Sequence, residues 1–183
     1  MDRRAGSPMT MDAQPEIPNR SFRIRLSASV PSLTQWTLGA LAWGAAMAFS
    51  CLLSITILRW TPYAHERQLL LLFFVGGVLA WLIALPLVRF FSLGRPAETR
   101  LAAALLFLSA GTVGMTAYLF AVEYRAFYAQ WHAPFGTKIW AYQYAYTTAS
   151  AFYQFAILGL RFYFPLGLLL VVAASILLAR RSR

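Results

Sequence analysis

Acidic residues are scarce in this chain, with six Asp and Glu against sixteen Lys and Arg among 183 residues. Cysteine is scarcer. Cys51 stands alone, so no internal disulfide forms, and the four-helix membrane enzymes that exchange disulfides are excluded by count. A single Cys in an apolar run behaves as a small hydrophobe. Histidine occurs only at His65 and His132, each next to the polar edge of a long apolar run, with Glu66 and Glu123 as the acids near them. Nothing in that spacing dictates a ligand set, and no pair of histidines sits within a run to hold a haem. Phosphate-cradling glycine loops, nucleophile elbows and dinucleotide fingerprints are all missing. No metal and no cofactor is therefore expected.

Charge is also missing from the middle of every apolar run. Sixty per cent of the residues are hydrophobic and only 12 per cent charged, with a mean hydropathy of +0.58. A soluble domain of this size has too little interior for so much apolar side chain, so the excess is expected to face lipid. A hydrocarbon core about 30 Å thick takes roughly 20 residues of helix at 1.5 Å each. Three uncharged runs meet that length, at about 36–58, 68–88 and 101–122, closed off by Arg59, by Arg67 and Arg89, and by Arg100 and Glu123. A fourth, at about 162–179, ends at Arg180 and Arg181. Upstream of it lie Tyr142, Gln143, Tyr144, Tyr146, Thr147, Thr148, Tyr153 and Gln154, side chains suited to the headgroup zone.

The fold class expected is an all-α integral membrane protein. Residues 1–35 form a disordered basic cytoplasmic tail, and 36–183 form a bundle of about four transmembrane helices with an aromatic interfacial segment at 123–161. The fourth helix is read as one long element from about Thr147 to Ala179, kinked at Pro165. A fifth span at 139–160 is the alternative. The tail carries Pro8, Pro15, Pro18 and Pro31 and no apolar period. The run that follows it is too long for a cleavable signal core, and Ala48-Phe49-Ser50-Cys51 lies too deep within that run for a lipoprotein cleavage site.

Basic residues set the expected orientation. With the N-terminus in the cytoplasm, Arg3, Arg4, Arg20, Arg23, Arg25, Arg89, Arg95, Arg100, Arg180, Arg181 and Arg183 lie inside, and Arg59, Arg67, Arg125, Lys138 and Arg161 outside. This excess of cytoplasmic Arg and Lys favours four spans with both termini inside. The default location is a bacterial inner membrane. The net charge of +10 gathers at the edges of the runs rather than in a patch, so no nucleic-acid partner is expected.

Small residues recur at four-residue spacing: Ala40, Gly44 and Ala48; Gly76, Ala80 and Ala84; Ala110 and Gly114. In lipid, such stripes are packing faces, within the bundle or toward another subunit. The outer segment holds the only candidate chemistry, with Glu123 or His132 as a general base and Arg125 or Lys138 on a phosphate. The same residues serve equally as helix-end charges. Trp131, Trp140, Tyr142, Tyr146 and Arg161 form an interfacial or partner-binding set of the residue types that interfaces favour.

The expected function is a non-enzymatic accessory, assembly or scaffold subunit of a larger membrane complex. Its expected partners are membrane lipids and other membrane subunits or a second copy. One alternative is a component of a lipid or small-solute transporter or channel, its pathway lined by Thr112, Thr116, Tyr118 and the Tyr/Gln face of 142–154. The other is a membrane enzyme acting on a lipid-linked substrate at the outer face.

Overall fold

The computed structural model describes residues 26–27, 29–57 and 66–181. These form five α-helices: α1 Leu33–Ile57, α2 Glu66–Ser92, α3 Ala97–Tyr128, α4 Lys138–Gln154 and α5 Leu166–Arg181. A 3-10 turn, Ala129–Trp131, prolongs α3. A π turn, Phe155–Gly159, and a second 3-10 turn, Leu160–Tyr163, prolong α4. No strand occurs among the described residues.

Helix α1, helix α2 and the rod Ala97–Trp131 are 25, 27 and 35 residues long and apolar enough to cross a membrane. The segment Lys138–Tyr163 and α5 meet that requirement only together, as a pair bent by 75°. The chain thus has three to four helices able to span, and is consistent with a multi-pass membrane protein.

Local signals mark the helix ends. The Ser32 hydroxyl accepts from the Gln35 N–H at 3.4 Å and caps α1. Gly94, with φ of 67°, reverses the chain after α2, where the Leu93 N–H reaches the Arg89 carbonyl at 3.1 Å. Gly136, with φ of 85°, turns the chain into α4, whose N-cap Thr137 accepts from the Trp140 N–H at 3.1 Å.

Helix α2 lies between α1 and α3. Adjacent glycines allow close approach on both sides. A Cβ at Gly77 would fall 2.9 Å from the Gly44 Cα on α1, and one at Gly76 would fall 2.2 Å from the Thr116 Oγ1 on α3. Interhelical van der Waals packing carries association in lipid, so this approach distance bears directly on stability. Trp43, Met47, Cys51, Phe73 and Leu108 fill the space between the backbones.

The fourth apolar element departs from the single kinked helix expected over 147–179. Its helix starts earlier, at Lys138, and is broken at a cis Phe164–Pro165 bond. Pro165 has no N–H and disfavours helical geometry in the residue before it, and Phe164 is extended, with φ −96° and ψ 141°. Segment 123–161 is helical almost throughout and folds as a hairpin. Lys138–Tyr163 counts toward a span only in combination with α5, so the described helices give no separate fifth span at 139–160. Most of the expected tail, residues 1–25, falls outside the described residues, as does His65.

Candidate functional site

Two features beyond simple packing stand out: a hydrogen-bonded polar cluster at the centre of the bundle, and an aromatic hairpin at one end. The cluster holds the break in the fourth element. At the bend the Phe162 and Phe164 carbonyls lose their helical partners. Ser50 Oγ lies 3.2 Å from the Phe162 oxygen. Ser54 Oγ lies 3.1 Å from the Phe162 oxygen and 2.7 Å from that of Phe164, sharing one proton between them. In apolar surroundings carbonyls freed at a break are satisfied by side-chain donors such as these serines. The next residue, Tyr163, donates its hydroxyl to Thr116 Oγ1 at 2.8 Å, and the Trp43 indole N–H donates to Thr112 Oγ1 at 3.0 Å. The two threonines pass these bonds on to the Thr112 and Leu108 carbonyls of their own helix. Every donor in this chain of contacts has an acceptor, which suits an anchor for the bend.

Thr112 and Thr116, considered above as pathway-lining residues, are thus fully buried and hydrogen-bonded across helices, while Tyr118 points outward and is more than half exposed. Ser50, Ser54 and Tyr163 were not singled out from the sequence. The signal was there: Ser50 and Ser54, like Thr112 and Thr116, are polar pairs at i,i+4 in runs otherwise apolar, and a proline sits just downstream of Tyr163. Cys51 is buried among these side chains as a free thiol.

At the other feature, the end of α3 and the helix α4 form a hairpin. The Gln154 amide donates to the Tyr124 hydroxyl at 3.1 Å, and the Ala133 N–H to Gln143 Oε1 at 2.8 Å. The Arg125 guanidinium lies 4.1 Å above the Tyr144 ring. Trp140 stacks edge-on with Phe135 at 4.5 Å and lies 5.3 Å from Tyr144. Trp131 packs against Phe127 and Tyr128 but is still largely exposed. The rest of the aromatic surface is uncovered: Phe135 is 85 per cent exposed, Tyr146 72 per cent and Tyr142 67 per cent. The Arg161 Nε donates to the Ile157 carbonyl at 3.1 Å.

The candidate catalytic residues are spread along one rod. Helix and 3-10 turn rise about 14 Å between Glu123 and His132, several times the reach of a direct proton transfer. Arg125 is engaged by Tyr144, and Glu123 faces outward. No group of three or more His, Cys, Asp or Glu side chains comes together among the described residues.

The small-residue stripes fall on different surfaces. Ala40, Gly44, Gly76, Ala80 and Ala84 are buried between α1, α2 and α3, with Ala48 half-buried. Ala110 and Gly114 face outward on α3, and a Cβ at Gly114 would meet nothing within 4 Å. The buried face of α3 is built instead from Ala103, Ala104, Leu108, Thr112, Thr116 and Ala117.

Fold and site together define an all-helical bundle, with three to four helices long and apolar enough to span a membrane, that presents an aromatic hairpin. Comparison with protein-family models, curated proteins and solved structures finds no match to this chain.

Proposed function

We propose that this chain is a non-catalytic accessory, assembly or scaffold subunit of a larger membrane complex. It sits in a bacterial inner membrane with four spans and both termini cytoplasmic, and engages its partner through the outer hairpin. The fourth span is the bent pair. The orientation follows from the excess of Arg and Lys on the side that carries Arg89, Arg95, Arg100 and Arg180.

The observation that carries the reading is the uncovered aromatic surface of the hairpin. A belt of interfacial Trp and Tyr explains rings at one depth only. The rod from Arg100 to Trp131 is about 46 Å long at 1.5 Å per residue. The hydrocarbon core with one headgroup layer takes up about 36–38 Å of that length. With the rod upright and Arg100 at the inner edge of the hydrocarbon, Trp131 then stands roughly 8–10 Å beyond the headgroups, in water. An exposed apolar patch held on a rigid, internally bonded hairpin suits a protein partner.

The test is purification of the tagged full chain from its native membrane in mild detergent, beside the Tyr142→Ala/Tyr146→Ala variant. A stoichiometric membrane partner that is retained by the parent chain and lost from the variant supports the reading. A monodisperse chain without a partner, or a partner held equally by both, contradicts it.

A further inference from the structure

Helix α5 approaches α1 closely near its start, where a Cβ at Gly167 would fall 3.1 Å from Ser50 Oγ. From there it runs mainly along α3, and at the opposite end from the hairpin a groove of about 650 Å³ opens between α1, α2 and α5. Its size falls within the roughly 300–1,000 Å³ of small-molecule sites. Leu38, Leu85 and Leu177 line its walls, and the Trp81 indole packs so close to Gly39 that a Cβ there would clash with it. Arg89 and Arg181 line the same groove, and no Asp or Glu among the described residues does. The hydrogen bonds of the Arg89 guanidinium go to neutral oxygens, the Val30 carbonyl at 3.3 Å and the Gln35 side chain.

An apolar trough beneath two guanidiniums matches an amphiphile with an anionic head. A free anion would leave the trough empty. Residues 20–25 carry Arg20, Arg23 and Arg25 and no acid, so that stretch of the chain offers the two guanidiniums no counter-charge. A zwitterionic lipid would fill the trough but bring a cation to the guanidiniums. We propose that the groove binds one anionic glycerophospholipid of the cytoplasmic leaflet. Its phosphate lies between Arg89 and Arg181, and an acyl chain runs along Leu38, Leu85 and Leu177. The inference shares the membrane placement proposed above but is independent of the hairpin and its partner.

The test titrates delipidated full-length protein in a neutral detergent with phosphatidylglycerol or with phosphatidylcholine of the same acyl chains, and counts bound lipid by native mass spectrometry. A single phosphatidylglycerol is expected to bind about thirtyfold more tightly than phosphatidylcholine, the factor two guanidiniums supply beside an anionic headgroup. Arg89→Gln/Arg181→Gln should remove that preference, and Arg95→Gln, at the exposed turn, should leave it intact. Arg181→Gln alone, at an exposed helix end where misfolding is not at issue, should reduce it about fivefold. Glycerol 3-phosphate should not displace the lipid. Equal binding of the two lipids, a preference that survives loss of both arginines, or full displacement by glycerol 3-phosphate would each overturn the proposal. Tyr142→Ala/Tyr146→Ala should leave lipid binding unchanged, which separates failure here from failure of the partner reading.

Discussion

The three-helix core and the hairpin solve the problem of holding helices together in opposite ways. Between α1, α2 and α3, side chains are small and backbones approach until Gly77 meets Gly44 and Gly76 meets Thr116. Two buried donors bond across helices there, the Trp43 indole to Thr112 and the Tyr163 hydroxyl to Thr116. In the hairpin, side chains are large and aromatic, bonds are few, and Phe135 and Tyr146 are mostly uncovered. The core spends its small residues on internal contact. The hairpin leaves its large rings for something else. With the hairpin outside the hydrocarbon, as proposed above, so apolar a surface is under no internal demand, which is why the partner is sought there and not on the bundle.

The largest effect expected from breaking this contrast is in the core. Gly77→Leu drives a side chain into the α1 backbone and should cost about 3 kcal/mol, the upper range for overpacking. Gly114→Leu, with open space around it, should leave stability unchanged. Thermal unfolding in detergent compares the two, and equal effects would mean that the close approach at Gly77 does not matter. Next is the bend. Ser50→Ala/Ser54→Ala strips the donors from the Phe162 and Phe164 carbonyls and should lower stability by about 1–2 kcal/mol, as interhelical hydrogen bonds in membranes do. Tyr163→Phe, which loses the hydroxyl's shared bond to Thr116 Oγ1 and the Thr112 carbonyl, should cost about 0.6 kcal/mol. In the hairpin, Tyr144→Leu removes the ring under Arg125 and should cost no more than about 0.5–1 kcal/mol. It should loosen α4 from α3, seen as faster amide exchange confined to 138–154. Exchange that rises equally in α1 would show that hairpin and core are one cooperative unit.

The sequence made the long apolar helices legible because their boundaries are charges: Arg67 and Arg89 bracket α2 within a few residues, and Arg100 begins the apolar part of α3. The Gly94-Arg95-Pro96 composition likewise suits the turn between α2 and α3. The region after Glu123 was harder to read. Its tyrosines, threonines and glutamines have no apolar period, and propensity alone does not distinguish an interfacial coil from a helix that packs on its neighbour through Tyr124 to Gln154 and Arg125 to Tyr144. Pro165 showed that something bends there, but the size of the bend depends on tertiary partners. Ser50 and Ser54 lie more than a hundred residues upstream, and their role exists only once α1 stands beside the break. The outward placement of Ala110 and Gly114 was equally hidden, because a small-residue stripe does not state which neighbour it faces. In the candidate site, the aromatic residue types were evident from the sequence, whereas their degree of exposure was not.

The most direct test of the central claim places a photo-crosslinking residue at Tyr142, at Phe135 and, as a control on the bundle surface, at Leu41, and irradiates native membranes. A discrete crosslinked product to one membrane protein from the two hairpin positions, with only diffuse or no product from Leu41, is the result the account predicts. No product from either hairpin position, or the same product from Leu41, would contradict it.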